Sequence, residues 1–331
     1  MHVTASAPTR IDLAGGTLDI WPLYLFHSAA QTLNAAISLR AHAEVRSRDD
    51  GRVVLESLDT QRSVHAAHWT ELDGEAELPL LAHLTAFFRS ENITLRTRGE
   101  SPAGAGIAGS SALNIAVCGA LARFHGVSYT AEELLTVAMN IEAQVINVPT
   151  GVQDYRPAYY GGIAAVELRP EGVKRIGLDI DPHELEARIV LAYTGAPRNS
   201  GTNNWEITKR HIDGDRHVYD CFERIRDAAA LLREALIRHD WNDVARQIRM
   251  EWDARKKLAP GVTTSAIDRL IAAAGAAGAQ AAKVCGAGGG GCLFCLADPD
   301  AVPAVRSALL AGGARVLDYR IDMEGLRVVS D

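Results

Sequence analysis

Cysteine is scarce in this chain of 331 residues: Cys118, Cys221, Cys285, Cys292 and Cys295 are an odd set, too few to frame a disulfide-stapled fold. Most stand in apolar runs, which suits reduced thiols and a cytoplasmic location. Cys292 and Cys295 form one CxxC, but no second pair stands at zinc spacing. Gly-Cys-Leu-Phe-Cys-Leu reads as a buried strand, so neither metal nor redox use is expected there. Positive charge is also in short supply. Lys and Arg total 34 against 41 Asp and Glu, a formal −7, and such a surface does not condense on phosphate backbones by bulk charge. The basic stretch Arg255-Lys256-Lys257 reads as a solvated helix face, so neither a nucleic acid nor a membrane is expected as a partner. Met1 to Arg10 has no basic segment followed by an apolar one, so no secretory signal is expected.

Long apolar runs are missing too. Residues 101 to 122 carry no charge, yet Gly104, Gly106, Gly109, Ser110, Ser111 and Asn114 make the first half a loop and only the second half a helix. The Ala/Gly run 271 to 282 is too short and too weakly apolar to span a membrane. What is present is an ordinary globular composition, 47% hydrophobic and 23% charged, long enough for two domains.

Short β-branched apolar stretches at Val3 to Ala7, Thr32 to Val45, Val53 to Ser57 and Ile93 to Arg98 predict strands. Leu113, Val117, Leu121 and Phe124 recur at helical spacing, and Thr130 followed by Glu132 and Glu133 predicts a second helix start. Strands are expected at Ile163 to Leu168 and Ile189 to Tyr193, then a long helical stretch over 203–257 punctuated near His239 and Asp240. The last quarter reads as helix 264–274, strand 280–285, a Gly run, strand 292–296, helix 301–311 and strand 315–320, an α-β-β-α-β order like a split βαβ layer. Gly195, Pro197, Asn199, Ser200 and Gly201 predict a boundary, dividing the chain into 1–195 and 196–331.

Chemistry concentrates in glycine-rich segments. Pro102, Gly104, Ala105, Gly106, Ile107, Ala108, Gly109, Ser110 and Ser111 form a loop running straight into an amphipathic helix, where free N–H groups and the helix dipole favour phosphate. The G-x-G-x-x-G match fails as a dinucleotide site, because Glu132 and Glu133 cap a helix instead of ending a strand. As a P-loop it has Ser110 where lysine is required; a purely structural turn is the competing reading. Gly286 and Gly288 to Gly291, between two apolar strands, exceed what a hairpin needs and predict close approach of a ligand, through Gly288 and Gly289 above all. Near the start, Arg10 follows a strand and Asp19 follows the pair Gly15-Gly16.

Taken together, these three segments resemble the motifs of the GHMP kinase superfamily, in order and across nearly the whole chain. Gly15-Gly16-Thr17-Leu18-Asp19, Gly109-Ser110-Ser111 and Gly151-Val152-Gln153-Asp154 look most like its sugar-1-kinase branch, which contains heptose 7-phosphate kinases and fucokinases. Two positions depart from that pattern: Ala108 replaces a second Gly, and Tyr155-Arg156 stands where a small or amide residue is common. The resemblance implies a two-domain α+β fold, with an N-terminal domain like ribosomal protein S5 domain 2 and a ferredoxin-like split βαβ C-terminal domain. It implies transfer of the γ-phosphoryl group of ATP to a sugar hydroxyl, with Mg²⁺ held by Ser111 and Glu142 and the triphosphate wrapped by residues 104–110. Asp154 would accept the hydroxyl proton beside Arg10, and Gly15, Gly16, Thr17, Asp19 and Arg198 would contact a small sugar or sugar phosphate. A homodimer is compatible with it.

Plainer readings stand beside each assignment: a buried salt bridge for Arg10 and Asp154, a solvated acid for Glu142, a helix cap for Ser111, a turn cap for Asp19, and a surface cation for Arg198. Trp21, Tyr24, Tyr155, Tyr159 and Tyr160 are candidates for stacking on a sugar or for the core. A decarboxylase of the mevalonate-diphosphate type and a non-catalytic ligand-binding relative are the rival functions.

Overall fold

The computed structural model describes residues 1–197 and 200–331. Twelve strands appear among them: β1 (His2–Ala14), β2 (Gln31–Ser47), β3 (Val53–Ser57), β4 (Arg62–Ala66), β5 (Ile93–Gly99), β6 (Ile163–Arg169), β7 (Gly172–Gly177), β8 (Ile189–Tyr193), β9 (Ala279–Val284), β10 (Cys292–Ala297), β11 (Arg315–Leu317) and β12 (Arg327–Ser330). The helices are α1 (Pro79–Phe87), α2 (Gly109–Phe124), α3 (Ala131–Ile146), α4 (Tyr155–Tyr160), α5 (Pro182–Glu186), α6 (Ser200–Ile212), α7 (Arg216–Ile237), α8 (Trp241–Arg255), α9 (Ser265–Ala276) and α10 (Val302–Ala311).

The first sheet runs β12-β1-β2-β5-β3-β4, with β6 on the opening half of β2 and β7 outside β6. Its pairs are antiparallel except β3 with β5. The two halves of β2 serve different neighbours: residues 31–35 bond to β6 and 41–47 to β5. The second sheet, β11-β8-β10-β9, is antiparallel throughout. One core packs α1 to α4 against the first sheet, and another packs α7 and α8 between the β1–β2 ribbon and the second sheet through Ile11, Leu33, Leu232, Ile248 and Phe294. The mixed α+β class and the α-β-β-α-β order over the last quarter are both present.

Local chemistry accounts for the helix boundaries. Thr130 and Glu133 form a reciprocal capping box that starts α3. The stretch 203–257 breaks twice, not once: Gly214 takes φ +86° and Asp215 caps α7 by accepting from the Val218 N–H, before the expected break at His239 and Asp240. The strand expected over 315–320 stops at Leu317. Both sheets draw strands from either side of residue 195: β8 bonds to β10 and β11 in the second sheet, while β12 returns to β1 in the first. Strands β4 and β7 are largely exposed and lack the apolar run that marks a strand in sequence.

The glycine run after β9 is approached mainly by the protein's own backbone. A Cβ on Gly288 would lie 2.3 Å from the Val262 carbonyl oxygen, and one on Gly290 would lie 2.9 Å from that of Ala196. Gly291 lies against Ala105, whose carbonyl accepts from the Cys292 N–H at 2.6 Å. Here the second sheet is joined to the loop before α2. Gly291 has φ +77° and its Cβ would lie 2.6 Å from the Ala105 oxygen, so neither conformation nor space admits a side chain. Gly291→Ala is expected to destabilise the fold by about 1–3 kcal/mol, read as a lower urea midpoint; an unchanged midpoint would show that this junction yields.

Candidate active site

The loop that precedes α2 lines a cleft of about 440 Å³ through Pro102, Gly104, Ala105, Gly106, Ala108, Gly109, Ser110 and Ser111. Gly104 and Gly106 adopt φ +66° and +72°, and Ala108, the N-cap of α2, sits in the left-handed region at φ +61°. The position that departs from the glycine pattern therefore keeps the glycine conformation, at a strain cost of about 1–2 kcal/mol. Ile107 points the other way: its side chain is in the core, and its carbonyl accepts from the Arg10 backbone N–H. Ser57, Asp59 and Thr60, from the end of β3 and the turn after it, line the same cleft. Sequence reading missed them, since nothing marks a hairpin turn as belonging to a site some forty residues on.

Ser110 and Ser111 open the first turn of α2, and neither caps it. Their hydroxyls donate to Glu142 in the last turn of α3, Ser110 Oγ to Oε1 at 2.6 Å and Ser111 Oγ to Oε2 at 2.9 Å. Glu142 is buried, not solvated, and burial pushes its carboxyl upward against the two hydroxyl donors. One carboxylate and two hydroxyls at a helix N-terminus form an all-oxygen set that fits a hard divalent cation completing its shell with water and phosphate oxygens. No group of three or more His, Cys, Asp and Glu able to hold a metal gathers among the described residues.

Arg10 is wholly buried and donates from Nε (3.0 Å) and Nη2 (2.6 Å) to the same oxygen, Asp154 Oδ1. Its Nη1 donates to the Gly106 carbonyl at 3.0 Å, tying the carboxylate to the glycine loop. Asp154 faces the cleft on one side and a smaller polar pocket on the other, lined by Thr17, Asp19, Gln153, Asn204, Gly286 and Ala287. Asp19 is buried and accepts from the Gln153 N–H at 2.9 Å. Gly151 is required beside it, because a Cβ there would lie 2.1 Å from Asp19 Oδ2.

Beneath this pocket lies a set of buried charges, of which Arg255 departs from its expected place. Arg255 is not on a solvated face: it is 1% exposed and turned inward from α8 onto Glu251, one helical turn earlier. Lys283, also buried, donates to Glu251 Oε1 at 3.1 Å and to the Asp12 carbonyl at 3.2 Å. Asp12 completes the cluster, with Lys283 and Arg255 at 3.6 and 3.7 Å from Oδ2. A lone lysine in the apolar run Ala279 to Cys285 was the available signal, since such a cation must be paired.

Other expected residues fall outside the pocket walls. Gly288 and Gly289 line neither space, whereas Gly286 and Ala287 do. Gly15 and Gly16 shape the turn that presents Thr17 and Asp19; a Cβ on Gly15 would lie 2.2 Å from the Gln31 carbonyl oxygen. Tyr155 lines the cleft from a buried position, Trp21 is exposed, and Tyr24, Tyr159 and Tyr160 pack against the cores. Arg156 is drawn away from both spaces onto the Val152 carbonyl and Glu132. Arg198 lies outside the described residues.

Burial, together with the neighbouring charge of Asp154, pushes the Asp19 carboxyl up to about 7 although the Gln153 N–H favours its ionised form. An acid whose folded value exceeds its unfolded one contributes stability that is full below the unfolded value, 3.8, and lost as pH rises through about 7. Asp19→Asn should therefore raise Tm by an amount that grows across that window. A gain equal at pH 4 and pH 8 would contradict this origin.

Comparison with known proteins agrees with the geometry. Residues 78–162 match the model of the GHMP kinases N-terminal domain and residues 232–315 that of the GHMP kinases C-terminal domain. The chain is 28% identical to D-glycero-alpha-D-manno-heptose 7-phosphate kinase of Campylobacter jejuni, covering 98% of each chain. It is 24% identical to mevalonate kinase of Thermococcus sibiricus, over 99% of this chain and 98% of that one. A crystal structure of a D-glycero-D-manno-heptose 1-phosphate kinase from Bacteroides thetaiotaomicron shares the fold at TM-score 0.81, with 23% identity and 99% of each chain covered. Both family models, a full-length relative and the shared fold lead to one conclusion: the chain belongs to the GHMP kinase superfamily and is a kinase of that family.

Proposed function

We propose that this kinase transfers the γ-phosphoryl group of ATP to a hydroxyl of a small sugar, the anomeric hydroxyl of a heptose phosphate or a related sugar. The observation that carries the reading is the place of Asp154 between the glycine-loop cleft and the polar pocket. A pocket walled by Thr17, Asp19, Gln153 and Asn204 offers acceptors and donors for a polyhydroxylated substrate rather than an apolar surface. The full-length likeness to a heptose 7-phosphate kinase supports the same substrate class.

In this mechanism the loop 104–110 and the start of α2 hold the triphosphate with backbone N–H groups. Ser111 and Glu142 would hold Mg²⁺, which when bound would supply charge neutralisation at the phosphate oxygens. Asp19 and Thr17 orient the sugar so that one hydroxyl meets Asp154. That hydroxyl oxygen bonds to the γ-phosphorus, ADP leaves with the electrons of the broken bond, and the proton passes to Asp154. Arg10 fixes the carboxylate relative to the loop, donating to Asp154 Oδ1 and to the Gly106 carbonyl. Arg198 is proposed as a receptor for a phosphate on the far end of the sugar. The enzyme is proposed to act in the cytoplasm; no helix among the described residues is long and apolar enough to cross a membrane.

The decisive experiment is ATP turnover against a panel of free and phosphorylated hexoses and heptoses, with mevalonate and homoserine as controls and carbon dioxide release monitored. Turnover with mevalonate alone, or gas release, would move the protein to another branch of the superfamily.

Asp154→Asn should lower kcat roughly 10² to 10⁴-fold while leaving ATP affinity by calorimetry near wild type. Retention of most of the wild-type kcat would remove Asp154 from the chemistry. For the metal, Ser111→Ala should raise the Mg²⁺ concentration needed for half-maximal rate and Glu142→Gln should raise it further, since the latter deletes a charge. Unaltered dependence in both variants would assign the ion to other ligands.

A further inference from the structure

Thr17 is an unusual residue for its conformation. It is β-branched, yet holds φ +70° in the wall of the polar pocket, where a residue of that shape is disfavoured. Something must hold it there, and the contacts come from the other half of the chain. Arg255 Nη1 donates to Thr17 Oγ1 at 3.1 Å and to the Gly286 carbonyl at 3.4 Å, while Nη2 donates to the Gly16 carbonyl at 2.8 Å. Its Nε donates to Glu251 Oε1 at 2.9 Å. One planar guanidinium thus binds two walls of the pocket, the turn 15–17 and the start of the glycine run. Glu251 anchors it and is itself held by Lys283.

The turn has no slack on its other sides. A Cβ on Gly16 would lie 2.3 Å from Asp12 Oδ2 and 2.6 Å from Gln153 Nε2, so its backbone is pressed against the groups that flank the pocket. We propose that Arg255 is a positioning residue for the acceptor substrate: it fixes Thr17 in the left-handed conformation and sets the distance between the 15–17 turn and Gly286, without touching the reacting atoms. A lysine would preserve the charge beside Glu251 but present one nitrogen in place of a fork, and would not bridge both walls. The donor side, built from residues 102–111 and Glu142, receives no bond from Arg255 among the described residues, so the effect is confined to the acceptor.

This inference rests on the reading of the polar pocket as the sugar site, and its test separates the two. Two variants are used in the full chain: Arg255→Lys, which keeps the ion pair, and Arg255→Met combined with Glu251→Gln, which removes one charge of each sign and leaves Lys283 opposite Asp12. In both, the acceptor KM should rise roughly ten- to hundredfold while the KM for ATP stays within about twofold of wild type. Amide hydrogen exchange should quicken over residues 15–20 and remain at wild-type protection in α2 and α3. Unchanged acceptor KM, or wild-type exchange over 15–20, would overturn the role. Quickened exchange throughout the chain with both KM values raised would also overturn it, by showing a purely structural contribution. If the wild type phosphorylates no sugar, the reading of the site fails, and the exchange measurement alone still decides whether Arg255 holds the turn.

Discussion

The interaction on which the site depends is the sharing of one buried guanidinium, Arg10, between Asp154 and the Gly106 carbonyl. Burying a cation is costly, and it is tolerable here because two nitrogens meet one carboxylate oxygen and the third meets a carbonyl. Arg10 lies within β1, whose backbone N–H at the same residue also binds Ile107. Strand, glycine loop and candidate base are therefore held in one frame. Loss of this arginine would leave Asp154 without its partner and the loop without its support from the sheet.

A second buried set repeats the device beside the Gly15-Gly16 turn. Asp12 lies two residues along β1 from Arg10, so the strand sends one charge toward each set. Alternation along a strand would place both residues on one face, and the irregular register after Asp12 then turns the chain into the Gly15-Gly16 turn. The pairing of Glu251 and Arg255 is intrahelical, whereas Lys283 and Asp12 bring β9 and β1 to it. Burial alone does not make such a cluster a source of net stability, since replacing buried ion pairs by apolar groups is often neutral.

Much of this was visible in the residues. The glycine loop and the order of the last quarter were readable because they rest on local signals, turn residues and apolar periodicity, whereas Glu142 and Asp154 carry no local mark and were singled out only through the family resemblance. Arg255 was not readable, because a run of three cations, Arg255-Lys256-Lys257, ordinarily marks a solvated helix face, and only the packing of α8 under β1 turns Arg255 inward. The glycine run misled for a related reason. A glycine is required wherever anything comes close, and sequence does not distinguish a ligand from the carbonyls of Val262, Ala196 and Ala105. Strands β4 and β7 escaped notice because exposed edges need no apolar pattern.

Ala108 has a further consequence. Glycine at this place would reach φ +61° without strain but would also visit many other conformations, each of which must be abandoned when a phosphate is bound. Alanine bears its strain during folding and thereafter has few alternatives within the packed loop. Its methyl group is buried, which narrows them again. An anion bound as proposed would meet the loop already ordered, so the entropy of arranging those N–H groups would be lost once, when the chain folds, and not at every turnover: Ala108 would act as an element of preorganisation.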